Sequence, residues 1–227
     1  MKPVALALDH VFAFVAEGFP DEPLLDAAGY RVAFGRDHEG QGTANRLLLF
    51  AENYLELIWL ARPDEAAANL LRLDRRADWR ASGASPFGIG LRGVIAPEHE
   101  GDFVDYRLPA FPLGRLRVLA RTIDDPTQPL VFVIERHDGA LAAPEKAGFP
   151  RSFLEHAVAV RGIARVRVEG RGLEGELARY LPDSVELAGG AGAGEPQMVV
   201  ELDHPHAPAV ALPPLVRIGP TASRREA

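Results

Sequence analysis

Apolar positions along the chain fall into short runs separated by polar, Gly- and Pro-rich connectors, a pattern of many strands and few helices. Residues 5–15 (ALALDHVFAFV) read as a strand that only Asp9 and His10 interrupt. Residues 21–29 read as a short helix, with Asp21 as cap, Pro23 in the first turn and Gly29 as stop. A strand at 30–34, a Gly-rich connection at 35–42, and strands at 43–50 and 54–60 follow, the last two joined by a turn at Glu52 and Asn53. The first sixty residues therefore read β-α-β-β-β. Residues 64–80 have the spacing of an amphipathic linking helix, and the stretch from Ser82 to Pro86 punctuates the chain. Strands at 87–95, 113–123 and 129–137 suggest a degraded second copy of the first unit. After a loop at 139–153 come a strand at 162–170, a short helix at 173–182 and a strand pair around a Gly/Ala-rich turn, a third and abbreviated β-α-β-β unit. The expected divisions are 1–62, a first module; 63–85, a linking helix; 86–138, a second module; 139–220, a loop and partial third module; and 221–227, a frayed tail.

Composition narrows the classes. The chain has 227 residues, 47% hydrophobic and 25% charged, which is globular usage and long enough for a sizeable core. A net charge of −7 argues against a nucleic-acid partner. Cysteine is absent, so disulfides, thiolate metal sites and a Cys nucleophile are excluded. No apolar run is long enough to span a bilayer, and Asp9 and His10 break the one stretch that looks like a signal core. The expectation is a soluble, bacterial-type cytoplasmic protein with no membrane partner. The sequence lacks G-x-G-x-x-G after a strand, G-x-x-x-x-G-K and G-x-S-x-G.

The remaining polar residues in apolar runs are the candidates for chemistry. His10 reads either as a satisfied core histidine or as a ligand. Glu56 in YLELIWL and Glu135 in LVFVIERH either face solvent or need a partner for their charge. One imidazole and two carboxylates suit a divalent metal such as Mn, Fe, Ni or Zn. In the 35–46 stretch, Arg36 offers an anion contact and His38 a base, while Asn45 fixes a turn or a substrate carbonyl; the bland alternative is a mobile solvated loop. His137 and His156 sit beside strand ends and are candidates to line the same cleft. His99 reads as exposed, and His204 and His206 receive no role.

LDHVFAFV at 8–15, GRDHEGQGTANRLL at 35–48 and YLELI at 54–58 resemble the glyoxalase-like domain family of the vicinal oxygen chelate superfamily. Gly42, Thr43, Asn45 and Leu47 match the family's middle motif, with His38 at its histidine position; the likeness weakens toward residue 185. It implies an α+β fold of paired βαβββ modules whose curled mixed sheets enclose a cleft. It also implies a metal held by His10, Glu56 and Glu135. The fourth ligand position falls near Gly88, which has no side chain. Such a protein would be a metal-dependent lyase, isomerase or dioxygenase-type enzyme acting on a small carbonyl or hydroxy compound. Glu135 loosening from the metal, or His38, would then serve as the catalytic base, with Arg36, Asn45, His137 and His156 contacting substrate. The alternative is a metal-free, resistance-type protein that sequesters a small molecule in the same cleft, commonly as a homodimer.

Overall fold

The computed structural model describes residues 6–107, 114–136, 149–173, 175–190 and 194–221. The expected tail from 222 onward, most of the 139–153 loop and His137 lie outside the described residues.

The first unit has the expected β-α-β-β-β order, β1 (Ala7–Phe14), α1 (Glu22–Ala27), β2 (Ala33–His38), β3 (Thr43–Leu49) and β4 (Tyr54–Leu60), but β2 starts later than the expected strand at 30–34 and runs through the first half of the stretch read as a connection. Pro23 sits in the first turn of α1, though Asp21 makes no side-chain cap bond. Gly29 ends the helix at a φ of +81°, its N–H on the Asp26 carbonyl. The linking helix is broken into α2 (Pro63–Ala68), α3 (Leu73–Ala77) and α4 (Trp79–Ser82). Arg72, left-handed at φ 47°, interrupts it.

The second unit comprises β5 (Phe87–Arg92), a 3₁₀ turn at Pro97–Asp102, β6 (Phe103–Tyr106), β7 (Gly114–Leu119), α5 (Ala120–Asp124) and β8 (Leu130–Arg136). The expected strand at 113–123 thus ends at Leu119 and turns helical, and β6 lies in the stretch that read as irregular. The third region holds β9 (Ile163–Gly170), a 3₁₀ turn at Gly175–Tyr180, β10 (Val185–Gly189), β11 (Gln197–Leu202), β12 (Val210–Leu212) and β13 (Val216–Pro220). Its last two strands went unread because Pro-punctuated segments look like loops.

The strands form two mixed, open sheets. Eight run in the order β2-β3-β4-β1-β5-β8-β7-β6 and five in the order β10-β9-β11-β13-β12. Outward from the antiparallel β1–β5 junction, one half reads first, fourth, third and second strand of its unit, and so does the other. The repeat is thus explicit in the topology. This is the α+β architecture of paired βαβββ modules.

Alternation sorts each strand between two faces. Val11, Ala13, Leu55, Leu57, Ile89, Val131 and Val133 face the small sheet and join Val166, Val168, Met198 and Val200 in the main core. The opposite face carries His10, Phe12, Glu56 and Phe132, and parts of it are covered by α3 and by residues 149–154. Two polar clamps bind the layers. Asn53 donates to the Ile163 carbonyl and accepts its N–H, as a neighbouring strand would. Arg76, 1% exposed, donates to the carbonyls of Ser85, Thr122, Pro126 and Gln128, and burial pulls its pKa down to about 9. Among the described residues no helix is long and apolar enough to cross a membrane.

Candidate functional site

His10 and Glu56 meet because β1 and β4 pair in parallel, with His10 opposite Tyr54 and Phe12 opposite Glu56. Both side chains therefore project from one face, two rows apart. A bulge at Asp9 shapes the start of β1. Leu8 pairs with Leu91 and His10 with Gly90, so two steps on β1 answer one on β5. That extra residue turns Leu8 into the main core and leaves the Asp9 carboxylate 2.8 Å from His10 Nδ1. The His10 ring is confined on all sides. Tyr54 stacks on it at 4.3 Å and Phe132 meets it edge-on at 5.2 Å. A Cβ on Gly90 would come within 2.7 Å of it. Its Nε2 is left facing Glu56 Oε2 at 3.6 Å.

His38 approaches the other carboxylate oxygen, with Nε2 3.7 Å from Glu56 Oε1. Asn45 ties these groups together. Its Oδ1 accepts the Arg36 N–H at 2.8 Å, which leaves the amide nitrogen to donate to Glu56 Oε1 at 2.5 Å and to His38 Nε2 at 3.3 Å. His38 Nε2 is then the acceptor nitrogen, and its Nδ1–H donates to Thr43 Oγ1 at 2.9 Å. Burial lowers the His38 pKa, with Arg36 and His10 acting in the same direction and Glu56 and Asp37 opposing; the ring is neutral at neutral pH. The Tyr54 hydroxyl is pushed well above its ordinary value by burial and by the charges of Asp9 and Glu56.

The Gly-rich connection is pinned rather than free. Arg62 pairs with Asp37 at 3.0 Å and Glu65 at 2.8 Å, and Glu65 accepts the Gly40 N–H. Gly42, at φ +76°, lies so close to α2 that a Cβ would strike the Arg62 carbonyl and the Ala66 nitrogen. Helix α2 thereby holds the turn that carries His38.

Two expected members are not brought in. Glu135 follows Val131 and Val133 onto the face of the small sheet, while Phe132 and Ile134 take the site face. Its carboxylate meets the Ile95 N–H at 3.4 Å and Arg115 at 3.9 Å. It can be neither a third ligand nor a base beside His10. His156 has both ring nitrogens engaged by backbone, accepting from Arg31 N–H at 3.0 Å and donating to the Leu49 carbonyl at 2.8 Å, so its polar atoms are committed to holding structure. Asn45, expected at a substrate carbonyl, has its amide committed to the network.

The fourth ligand position is filled rather than vacant. The Phe12 ring occupies the space a Gly88 side chain would need, and Phe132 takes the row beside Gly90. Among the described residues, no group of three or more His, Asp or Glu side chains is arranged to hold a metal ion. Glu56 Oε1 already accepts the Asn45 N–H. The residues present therefore do not fit the divalent metal that the resemblance implies. Sequence reading missed Asp9, Thr43, Tyr54 and Arg92, whose guanidinium lies 3.8 Å from Asp9. Asp9 left a trace as a second polar residue beside His10 in an apolar strand, and Thr43 and Tyr54 lay in the matched motifs without being given a role in the site.

Residues 8–94 match the family profile described as Glyoxalase-like domain. No curated protein sequence matches the chain. Among solved structures, a hypothetical protein from Staphylococcus aureus is similar over 96% of this chain and 100% of its own, at a TM-score of 0.57 and 12% identity. A hypothetical protein from Bacillus halodurans is similar over 60% of this chain and 99% of its own, at a TM-score of 0.41 and 15% identity. Methylmalonyl-CoA epimerase from Mycobacterium tuberculosis is similar over 66% of this chain and 97% of its own, at a TM-score of 0.40 and 15% identity. The resemblance carried by the first sixty residues therefore holds: over residues 8–94 the chain matches the glyoxalase-like domain family, and its eight-stranded sheet repeats one strand order in two modules.

Proposed function

We propose that this protein is an enzyme of the isomerase or lyase type that moves a proton on a small carbonyl compound using side chains alone. The observation that carries this reading is the Glu56 carboxylate, buried between two imidazole nitrogens at 3.6 and 3.7 Å. A carboxylate in such surroundings is costly unless it is partnered, and a neutral imidazole beside it is a base suited to neutral pH. In this scheme the substrate displaces the Asn45 amide from His38 Nε2, and the freed lone pair takes the proton from the carbon next to the substrate carbonyl. The C–H electron pair becomes the new carbon–carbon π bond and the carbonyl π pair moves onto oxygen, giving an enolate. Glu56 stabilises the imidazolium so formed, and His38 returns the proton to the substrate. Asp9, Tyr54 and Gly90 hold His10 so that its Nε2 faces Glu56 from the far side. Asn45 is a positioning residue for both Glu56 and His38.

The test is deuterium exchange. The chain is incubated in heavy water with small carbonyl compounds such as 2-oxobutyrate, and exchange at the carbon beside the carbonyl is followed by NMR. His38→Gln and Glu56→Gln should each lower the exchange rate about 10²- to 10⁴-fold while leaving the amide spectrum folded. Equal rates in wild type and both variants would overturn the assignment. A metal content near one per chain, lost in His10→Ala, would overturn the metal-free mechanism. Tight retention of a small molecule with no exchange would favour the sequestering alternative.

A further inference from the structure

Strand β2 contains an irregularity that sorts its side chains. Phe34 pairs with Arg46, yet Asp37 pairs with Ala44, so three steps along β2 answer two along β3. An extra residue of this kind reverses the face taken by the side chains that follow. Before it, Phe34 is level with Arg46, on the face opposite Asn45, and is 62% exposed. After it, His38 is level with Thr43, and Arg36, two residues earlier, shares the side of His38. Gly35 is required at the crossing because a Cβ there would run into Asn45 Oδ1. The Arg36 N–H is anchored on that same oxygen, so the root of the side chain is fixed while its end stays exposed.

The local charges single this residue out. Asp37 is paired with Arg62, Arg62 also with Glu65, and Arg92 lies beside Asp9. Arg36 has no ion pair among the described residues. Its charge nevertheless reaches the site, opposing protonation of His38 and favouring ionisation of Tyr54. A guanidinium in that position presents a planar fork of donors to an incoming oxyanion.

We infer that Arg36 binds a negatively charged group of the substrate, so that the site takes a small carbonyl compound carrying an oxyanion, either carboxylate or phosphate. This rests on the proton-transfer reading of the same site. Alternation keeps Arg36 and His38 together, and the bulge turns both onto the site face while Phe34 stays on the other.

The test titrates the full chain with 2-oxobutyrate, dihydroxyacetone phosphate and uncharged 2-butanone, following the side-chain nitrogen signals of His38 and Arg36. Saturable shifts are expected with one or both anions and not with 2-butanone, and which anion binds identifies the oxyanion. Arg36→Gln should weaken anion binding roughly 10- to 100-fold, Arg36→Lys less, and added salt should weaken it in wild type. Undiminished binding in Arg36→Gln, 2-butanone binding as tightly as the anions, or no saturable shift with either anion would overturn the inference. Deuterium exchange in the same samples separates the two claims. Arg36-dependent binding without exchange sinks the proton-transfer reading alone, and exchange on either anion that is unchanged in Arg36→Gln sinks the Arg36 assignment alone.

Discussion

The two halves of the eight-stranded sheet share a strand order and differ in what they place on the shared face. The first half puts His10, His38, Asn45 and Glu56 there; the second puts Gly88, Gly90, Leu130 and Phe132. The second half has become packing for the first. Its glycines make room for the Phe12 and His10 rings, and Phe132 bears on both at centroid distances of 6.4 and 5.2 Å. A repeated architecture thus carries the candidate site on one copy and its wall on the other.

Four changes test this division, from the largest expected effect to the smallest. Phe132→Ala should cost about 3–5 kcal/mol in urea unfolding and loosen the His10 ring, because a buried aromatic is lost from both roles. A cost no larger than that of a surface substitution would show that the second half is not a wall. Gly88→Ala places a methyl group into the Phe12 ring and should cost about 1–3 kcal/mol by overpacking. Retained stability there would mean that the ring has room to move. In the first half, Glu56→Leu strips the Asn45 amide of its acceptor, with an expected loss of about 1–3 kcal/mol, while Glu56→Gln should lose less stability and still lose exchange activity. A stable Glu56→Leu protein would mark the carboxylate as dispensable for folding.

The subtlest change concerns pH. Burial lowers the pKa of both His38 and His156 in the folded state. His38 is faced by Glu56, Asp37, Arg36 and His10, and His156 by Arg31 and the Leu49 carbonyl. In the unfolded chain each imidazole titrates near about 6.5. The unfolded state therefore binds more protons below that value, and stability falls as pH drops from about 6.5 through the lowered folded values. Their contribution is flat above that window. Urea midpoints at about pH 7.5 and about pH 5 should differ in wild type and differ less in His38→Gln. An equal pH dependence in the two would remove His38 from the buried set.

Much of the site was legible where polar residues interrupt otherwise apolar strands. His10 and Glu56 stood out on that ground, and the 35–46 stretch supplied His38 and Asn45. Glu135 was misplaced for the complementary reason. LVFVI is apolar on both sides, so its alternation carries no sign of which residues face which sheet, and only the observed pairing resolves it. His156 looked available because nothing in a sequence announces that two backbone groups will claim a ring. The strands from 210 onward stayed hidden behind prolines. The broken linking helix turned on the left-handed backbone of one arginine, a local choice that helical periodicity does not encode.

The bulges at Asp9 and Gly35 give the site an unusual kind of fragility. Many single replacements nearby would leave each strand in phase, but deleting one residue at either bulge would restore a strict two-residue rhythm. Upstream of Asp9 this would send Leu8 out of the core, and upstream of Gly35 it would exchange the faces of Ala33 and Phe34. Chain length between fixed points, more than the identity of most residues along it, is therefore what selection must guard in these two strands.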